Sequence, residues 1–271
     1  MTTNRTPRAR KAIPNGAVLW QGDSLLDGRP IVVIATGLAN ASTNSKTGNM
    51  VQTYILRADV SPVEAVKSGA DGSICGSGKN ACPHRGNGDG TGRTCYVNVG
   101  QGPLAVWRAW KRGAYAEAIE YAGLLFTSRD NGAPCIGKGR VVRLGTYGDP
   151  AAVPVHIWQA ITRHAVGYTG YTHQWRSAPQ LGGLCMASVD SEAQALEARA
   201  AGWRTFRVAL PAHAKRMATE SICPASAEAG KKLTCAACLA CDGTAKDRRG
   251  SIVIKAHGGF AVMANINKRS A

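Results

Sequence analysis

Val141-Val142-Arg143-Leu144-Gly145, running into Thr146-Tyr147-Gly148-Asp149-Pro150, is the stretch on which the reading of the fold turns. The first half reads as a strand and the second as a turn marked by Gly and Pro. A helical pattern follows over 155–165, so the unit is strand, turn, helix. The same alternation continues downstream. Strands are predicted over 167–172, 184–189, 205–210 and 251–256. A helix over 191–200 has Ser191 and Gln194 as its capping box and Gly202 as its stop. This order predicts an α/β fold, a partial or full parallel (β/α) barrel with a small Cys-rich metal-binding C-terminal extension. In such folds the functional groups sit at the C-terminal ends of strands. Asp149, the aromatic run 168–175 and Asp190 all fall at such ends.

Upstream, Ile31-Val32-Val33-Ile34-Ala35 and residues 50–56 read as strands. Ser61-Pro62-Val63-Glu64 starts a short helix that Gly69 stops. Residues 103–126 have helical spacing, with Leu104, Trp107, Ile119, Ala122 and Phe126 on one face. Between them lies a Gly-rich loop, 72–102, which carries Cys75, Cys82 and Cys95. A loop of that length in a compact domain needs a reason, and a bound metal supplies one. The domain reading is a basic flexible arm (1–13), a catalytic α/β domain (14–218) and a Cys-rich extension (219–271).

Composition narrows the function classes. The 271 residues include 33 Lys+Arg against 17 Asp+Glu, a net charge of +16, and are 44% hydrophobic, too apolar for a disordered chain. No apolar run approaches the roughly 20 residues of a membrane span. The first ten residues are polar and basic, without an apolar signal core. A cytoplasmic location follows as the expectation, the host cytoplasm if the chain is phage-encoded. In a reducing compartment nine cysteines read as metal ligands or reactive thiols. The charge points to a polyanion, with nucleic acid, DNA foremost, as the expected partner.

Two cysteine groups stand out. Cys75, Cys82 and Cys95 can hold three irons of a [4Fe–4S] cluster and leave the fourth open; zinc, with His84 as a fourth ligand, is the rival. Cys223, Cys235, Cys238 and Cys241, with His257 further on, have the repeated two-residue gaps of a zinc site or a second iron–sulfur cluster. Cys135 and Cys185 read as packed thiols. In the 145–150 turn, Gly145 and Gly148 allow a ligand close to the backbone, and Asp149 can orient an amine or a hydroxyl or cap a helix. Tyr168, Tyr171, His173, Gln174 and Trp175 can stack on and hydrogen-bond a base. Asp190 suits a nucleophile or base, or a helix cap. Basic residues recur beside these motifs: Arg85, Arg93, Arg108, Lys111, Arg112, Arg176, Arg204, Arg207, Lys215 and Arg216.

A strand, a cysteine loop ending in Cys95-Tyr96, a helix, and a second strand ending in Gly148-Asp149-Pro150 together resemble the radical S-adenosylmethionine enzymes. That resemblance implies a catalytic cluster on Cys75, Cys82 and Cys95. It also implies S-adenosylmethionine held by Tyr96, Gly145, Gly148, Asp149 and Pro150, and an auxiliary cluster on the C-terminal cysteines. The loop gaps of six and twelve residues are wider than that family's. The chain also resembles phage-encoded proteins of the gene-product-88 type, through Asn44-Ser45-Lys46-Thr47-Gly48, the Cys-Tyr pair and the late Cys-x2-Cys. A second family is similar at one place: the tRNA- and DNA-guanine transglycosylases carry a C-terminal zinc site like Cys235, Cys238, Cys241 and His257. That likeness implies Asp149 or Asp190 as nucleophile, but the family's Asp-Ser-Gly-Gly turn is absent.

The expected function is thus an iron–sulfur radical-type enzyme modifying a nucleobase, with Asp149, Asp190 and His173 as catalytic candidates. The alternatives are a zinc-containing DNA guanine transglycosylase inserting a 7-deazaguanine, and a metal-stabilised nucleic-acid-binding protein without activity.

Overall fold

The structure, a computed structural model, describes residues 14–42, 44–117, 136–210, 215–244 and 250–270. Two sheets carry the fold. The first runs in the order β4 (Ala116–Glu117), β1 (Gly16–Asp23), β2 (Pro30–Thr36), β3 (Met50–Arg57), β5 (Val141–Tyr147), β6 (Gly167–Thr169). β1, β2 and β3 form an antiparallel meander, whereas β3, β5 and β6 are parallel. The second runs β10 (Glu220–Ile222), β11 (Ser251–Lys255), β9 (Thr205–Ala209), β8 (Met186–Val189), β7 (Tyr171–Thr172). All its pairings are parallel. The chain is therefore a mixed α/β fold with parallel strands.

Gly170 alone separates β6 from β7, so the backbone steps directly from one sheet to the other. A Cβ at this position would lie 2.7 Å from the Cys185 sulphur. The predicted strand 167–172 accordingly divides in two here.

Parallel strands are covered on both faces and so read as unbroken apolar runs. In β3 every residue but Tyr54 is buried, and β8 is buried throughout. Ile34, Leu56, Leu144 and Trp158 belong to the main core. α1 (Pro62–Ser68) forms as predicted: the Ser61 hydroxyl accepts from the Glu64 amide, and Gly69 closes the helix. α3 (Gly102–Lys111) is shorter than predicted. Gly113 takes a φ of +70° just after it, and the chain then pairs with β1 as β4. Ile119, Ala122 and Phe126, like the arm 1–13 and Cys135, lie outside the described residues.

The other helices are α2 (Gly72–Cys75), α4 (Val155–Thr162), α5 (Glu192–Ala200), α6 (Cys235–Cys238) and α7 (Phe260–Ser270). Ser191 caps α5 by accepting from the Gln194 amide. None of the described helices is long and apolar enough to cross a membrane. The C-terminal segment gives β10 and β11 to the second sheet. Glu220 of β10 is buried there against Arg207 at 2.6 Å, which is why so polar a stretch can be a strand.

Because these strands are parallel, the segments leaving their C-terminal ends can converge. The cysteine loop leaves β3, the Gly145–Pro150 turn ends β5, His173 follows β7, Asp190 follows β8, and His257 lies just beyond β11.

Candidate functional site

The cysteine loop, the Gly145–Asp149 turn, His173 and His257 line one cavity of about 450 Å3, both cysteine groups open onto it, and Asp190 meets it only through His84 and His173. Its wall also carries Tyr96, Arg143, Tyr147, Tyr171 and His173. The sequence separates the two groups by more than a hundred residues; the fold brings them to a common space.

The first group is held by its own loop. Cys75 ends α2, and its carbonyl accepts from the Cys82 amide at 2.9 Å. The His84 carbonyl accepts from Cys95 at 2.9 Å. Beneath the loop, buried Asp71 pairs with both Arg85 and Arg93, the latter at 3.4 Å. Burial, and then the neighbouring Cys82, push the Cys75 and Cys95 thiols up. The Tyr147 hydroxyl is buried beside Cys75 and has no hydrogen-bond partner.

The second group is held mainly by backbone. The Cys235 and Ala236 amides donate to the Lys46 and Thr47 carbonyls, each at 3.0 Å. The Asn44 side chain shapes that loop by accepting from the Lys46 and Thr47 amides. This gives the Asn44–Gly48 motif a role: it seats the cysteine helix α6. The Cys223 amide donates to Val253, and the Gly170 amide donates to Cys241. Arg204, buried at the head of β9, donates to the carbonyls of Ala240, Gly243 and Gly250 and pairs with Asp242. Burial raises the Cys223 and Cys235 thiols and pushes Cys241 up to about 12.

The two histidines proposed as ligands are engaged elsewhere. His257 Nδ1 meets the Lys255 carbonyl and Nε2 meets the Lys46 ammonium, both at 2.9 Å. His84 Nδ1 meets the Thr94 hydroxyl at 2.8 Å and Nε2 meets Asp190 at 2.7 Å. The second oxygen of Asp190 lies 3.4 Å from His173 Nε2. His84, His173 and Asp190 thus form a compact triad beside Cys82, with ligand atoms within 4.8 Å of one another. Burial opposes the Asp190 charge, but hydrogen bonds from both imidazoles hold its carboxyl below the usual range. Burial also opposes protonation of His173, but Cys82 and Asp190 overcome it and raise that imidazole well above its ordinary value.

Asp149 is buried, with both carboxylate oxygens engaged. It accepts from the Thr172 hydroxyl (2.6 Å), the His173 amide (2.7 Å) and the Ala151 amide (3.0 Å). Its own amide donates to Ile74, next to Cys75. It therefore ties the turn to the first cysteine loop and fixes His173. Gly145 and Gly148 serve packing: a Cβ would lie 2.5 Å from the Gly148 carbonyl in one case and 2.7 Å from Ile55 in the other.

Of the aromatic run, Trp175 is core, Tyr168 donates to the Gly183 carbonyl, and Tyr171 reaches the cavity, hydrogen-bonded to Cys241. The basic residues divide likewise. Arg85, Arg93, Arg176, Arg204 and Arg207 are taken up by carboxylates within the chain. Arg108, Lys111 and Arg112 stay exposed on and just after α3, with Lys111 over the Trp107 and Trp110 rings. The Arg143 guanidinium, by contrast, reaches the cavity between the cysteine groups and donates to the Tyr96 hydroxyl. The sequence places Arg143 only within the strand before the turn, and nothing in its spacing marks it.

No protein-family model matches the sequence, no curated protein is similar to it, and no solved structure matches its fold.

Proposed function

We propose that the protein is an iron–sulfur enzyme of the radical S-adenosylmethionine type that modifies a nucleobase, with a catalytic cluster on Cys75, Cys82 and Cys95. A second cluster would sit on Cys223, Cys235, Cys238 and Cys241. The observation that carries this reading is that both cysteine groups open onto one cavity beyond the ends of parallel strands. β3, β5, β6, β7, β8, β9 and β11 then read as successive staves of an open (β/α) barrel, with its chemistry at the C-terminal rim.

The donor sets fit such centres. Tetrahedral zinc holds its sulphurs about 3.8 Å apart. Among the described residues, no three of these sulphurs lie within 4.8 Å of one another. Three thiolates with an open iron, and a second set of four, are the donors that iron–sulfur clusters take. The unpartnered Tyr147 hydroxyl beside Cys75 and Cys95 suits a donor to a sulphur-rich group.

When bound, a three-cysteine cluster with an open iron supplies the electron that cleaves S-adenosylmethionine to a hydrogen-abstracting radical. The chain's own residues do the rest. Asp149 locks His173 in place beside Cys82. His84 and His173 share the Asp190 carboxylate and so keep a protonated imidazole at the cavity wall. Tyr96 and Tyr171 offer aromatic faces on opposite cysteine groups. The net charge of +16 and the exposed Arg108–Arg112 segment favour nucleic acid as the carrier of the base. The transglycosylase reading has less support, because both Asp149 oxygens are hydrogen-bonded within the chain and Asp190 is paired with two imidazoles.

Anaerobic purification with metal analysis tests the proposal. About eight irons per chain and a broad band at about 400 nm are expected. One zinc and no iron would sink it. A DNA affinity that does not fall with salt would remove nucleic acid from the reading.

A further inference from the structure

Arg143 has a charge problem that the fold leaves unsolved. Its Nε is buried without a hydrogen-bond partner. Its guanidinium donates to the Tyr96 hydroxyl, a neutral phenol. Among the described residues no carboxylate lies within ion-pair distance of it. The contrast with the other inward arginines is direct: Arg57, Arg85, Arg204 and Arg207 each have an acidic partner. A desolvated cation without a counter-anion is costly, and proteins pair such groups or give them to a ligand.

The surroundings supply further donors. Tyr96 lies against the His257 ring, with centroids 6.0 Å apart. His257 in turn contacts the Lys46 ammonium. Arg143 and Lys46 both line the cavity. A planar fork, a phenol and an ammonium brought to one cavity by separate elements suit an anion with oxygens in several directions. A phosphate meets that description better than a flat carboxylate.

We propose that Arg143, with Tyr96 and Lys46, forms a phosphate-binding subsite on the wall of the cavity, taking the phosphate group of the molecule on which the protein acts. The subsite goes beyond the iron–sulfur reading and stands without it, since none of its members is a cysteine.

The test titrates the full-length protein with inorganic phosphate, read by phosphorus-31 resonance broadening and by thermal shift. Metal content is measured on the same samples. Saturable binding is expected in the wild type. Arg143→Met should weaken it about tenfold or more, and Arg143→Lys by less, because a point charge replaces the fork. Tyr96→Phe gives a second, milder loss that leaves the Arg143 charge in place. Arg163→Met, exposed at the end of α4, should bind as the wild type does. Phosphate bound equally by Arg143→Met, or no saturable binding at all, overturns the proposal. So does acetate competing better than phosphate. Loss of metal together with phosphate in Arg143→Met also overturns it, because Arg143 would then serve as countercharge to the thiolates at Cys235. If binding follows this pattern while the protein carries no iron, the subsite stands and the iron–sulfur reading falls.

Discussion

The two cysteine groups face the same cavity but are built by opposite means. The first is fastened by charged side chains. Asp71 gathers Arg85 and Arg93 under the loop, and Asp190 gathers His84 and His173 beside Cys82. The second is fastened by main-chain hydrogen bonds from strands and loops far away in sequence, with Arg204 as its chief side-chain clamp. The first offers three sulphurs and an unpartnered Tyr147 hydroxyl; the second offers four sulphurs. In metal proteins a complete ligand set marks a structural or electron-carrying centre, whereas an incomplete one leaves room for a reactant. On the proposed iron–sulfur reading, the difference gives chemistry to the first group and support to the second.

The largest expected effect breaks that assignment outright or upholds it. Cys82→Ala should abolish turnover while keeping about four irons per chain on the second group. Cys241→Ala should leave about four irons on the first. Iron analysis and electron paramagnetic resonance of the two variants decide it, and equal iron loss in both would erase the distinction.

Next in size are the fastenings. Asp71→Ala leaves two largely buried guanidiniums without their carboxylate and should cost about 3–5 kcal/mol in denaturant unfolding. Arg204→Ala mainly frees carbonyls and should cost about 1–3 kcal/mol. The reverse order would mean that the second group, not the first, depends on buried charge.

A smaller effect is visible in pH. The Asp190 carboxyl is held down, so its stabilisation is present above about pH 4 and is lost as pH falls through its folded value. His173 is held up, so its contribution is complete below about pH 6.5 and is lost as pH rises through its folded value. The melting-temperature gap between wild type and Asp190→Asn should therefore be widest between about pH 4 and 6.5. A gap that is flat across pH would uncouple the triad from stability.

The smallest effect is a control. Arg176 and Glu197 form an exposed pair, and Arg176→Ala should leave the melting temperature unchanged within error at ordinary salt.

What could be read in the sequence follows the range of the forces. Ser61, Glu64 and Gly69 fix a helix within one turn, and they were legible. The cysteine groupings were legible from spacing alone. The break at Gly113 was obscured by helical periodicity on both sides, and β10 by Glu220, a buried acid whose partner Arg207 is thirteen residues away. His84 and Asp190 lie 106 residues apart, so no local pattern announces their hydrogen bond. His257 carries the right residue type in the right order for a ligand, but Lys46 and the Lys255 carbonyl take its nitrogens. Arg143 is the extreme case, since its one side-chain partner, Tyr96, is 47 residues away and its Nε has no hydrogen-bond partner among the described residues.

The seating of α6 on the Asn44–Gly48 loop also sets a timetable. A ribosome adds about 5–20 residues per second. Between the emergence of Cys95 and that of Cys241 the nascent chain therefore waits on the order of ten seconds. During that interval the first trio of thiols is exposed without the segment that will roof its cavity. Whatever loads or shields these thiols during synthesis meets a half-built chamber, and the last cysteines to be translated close it.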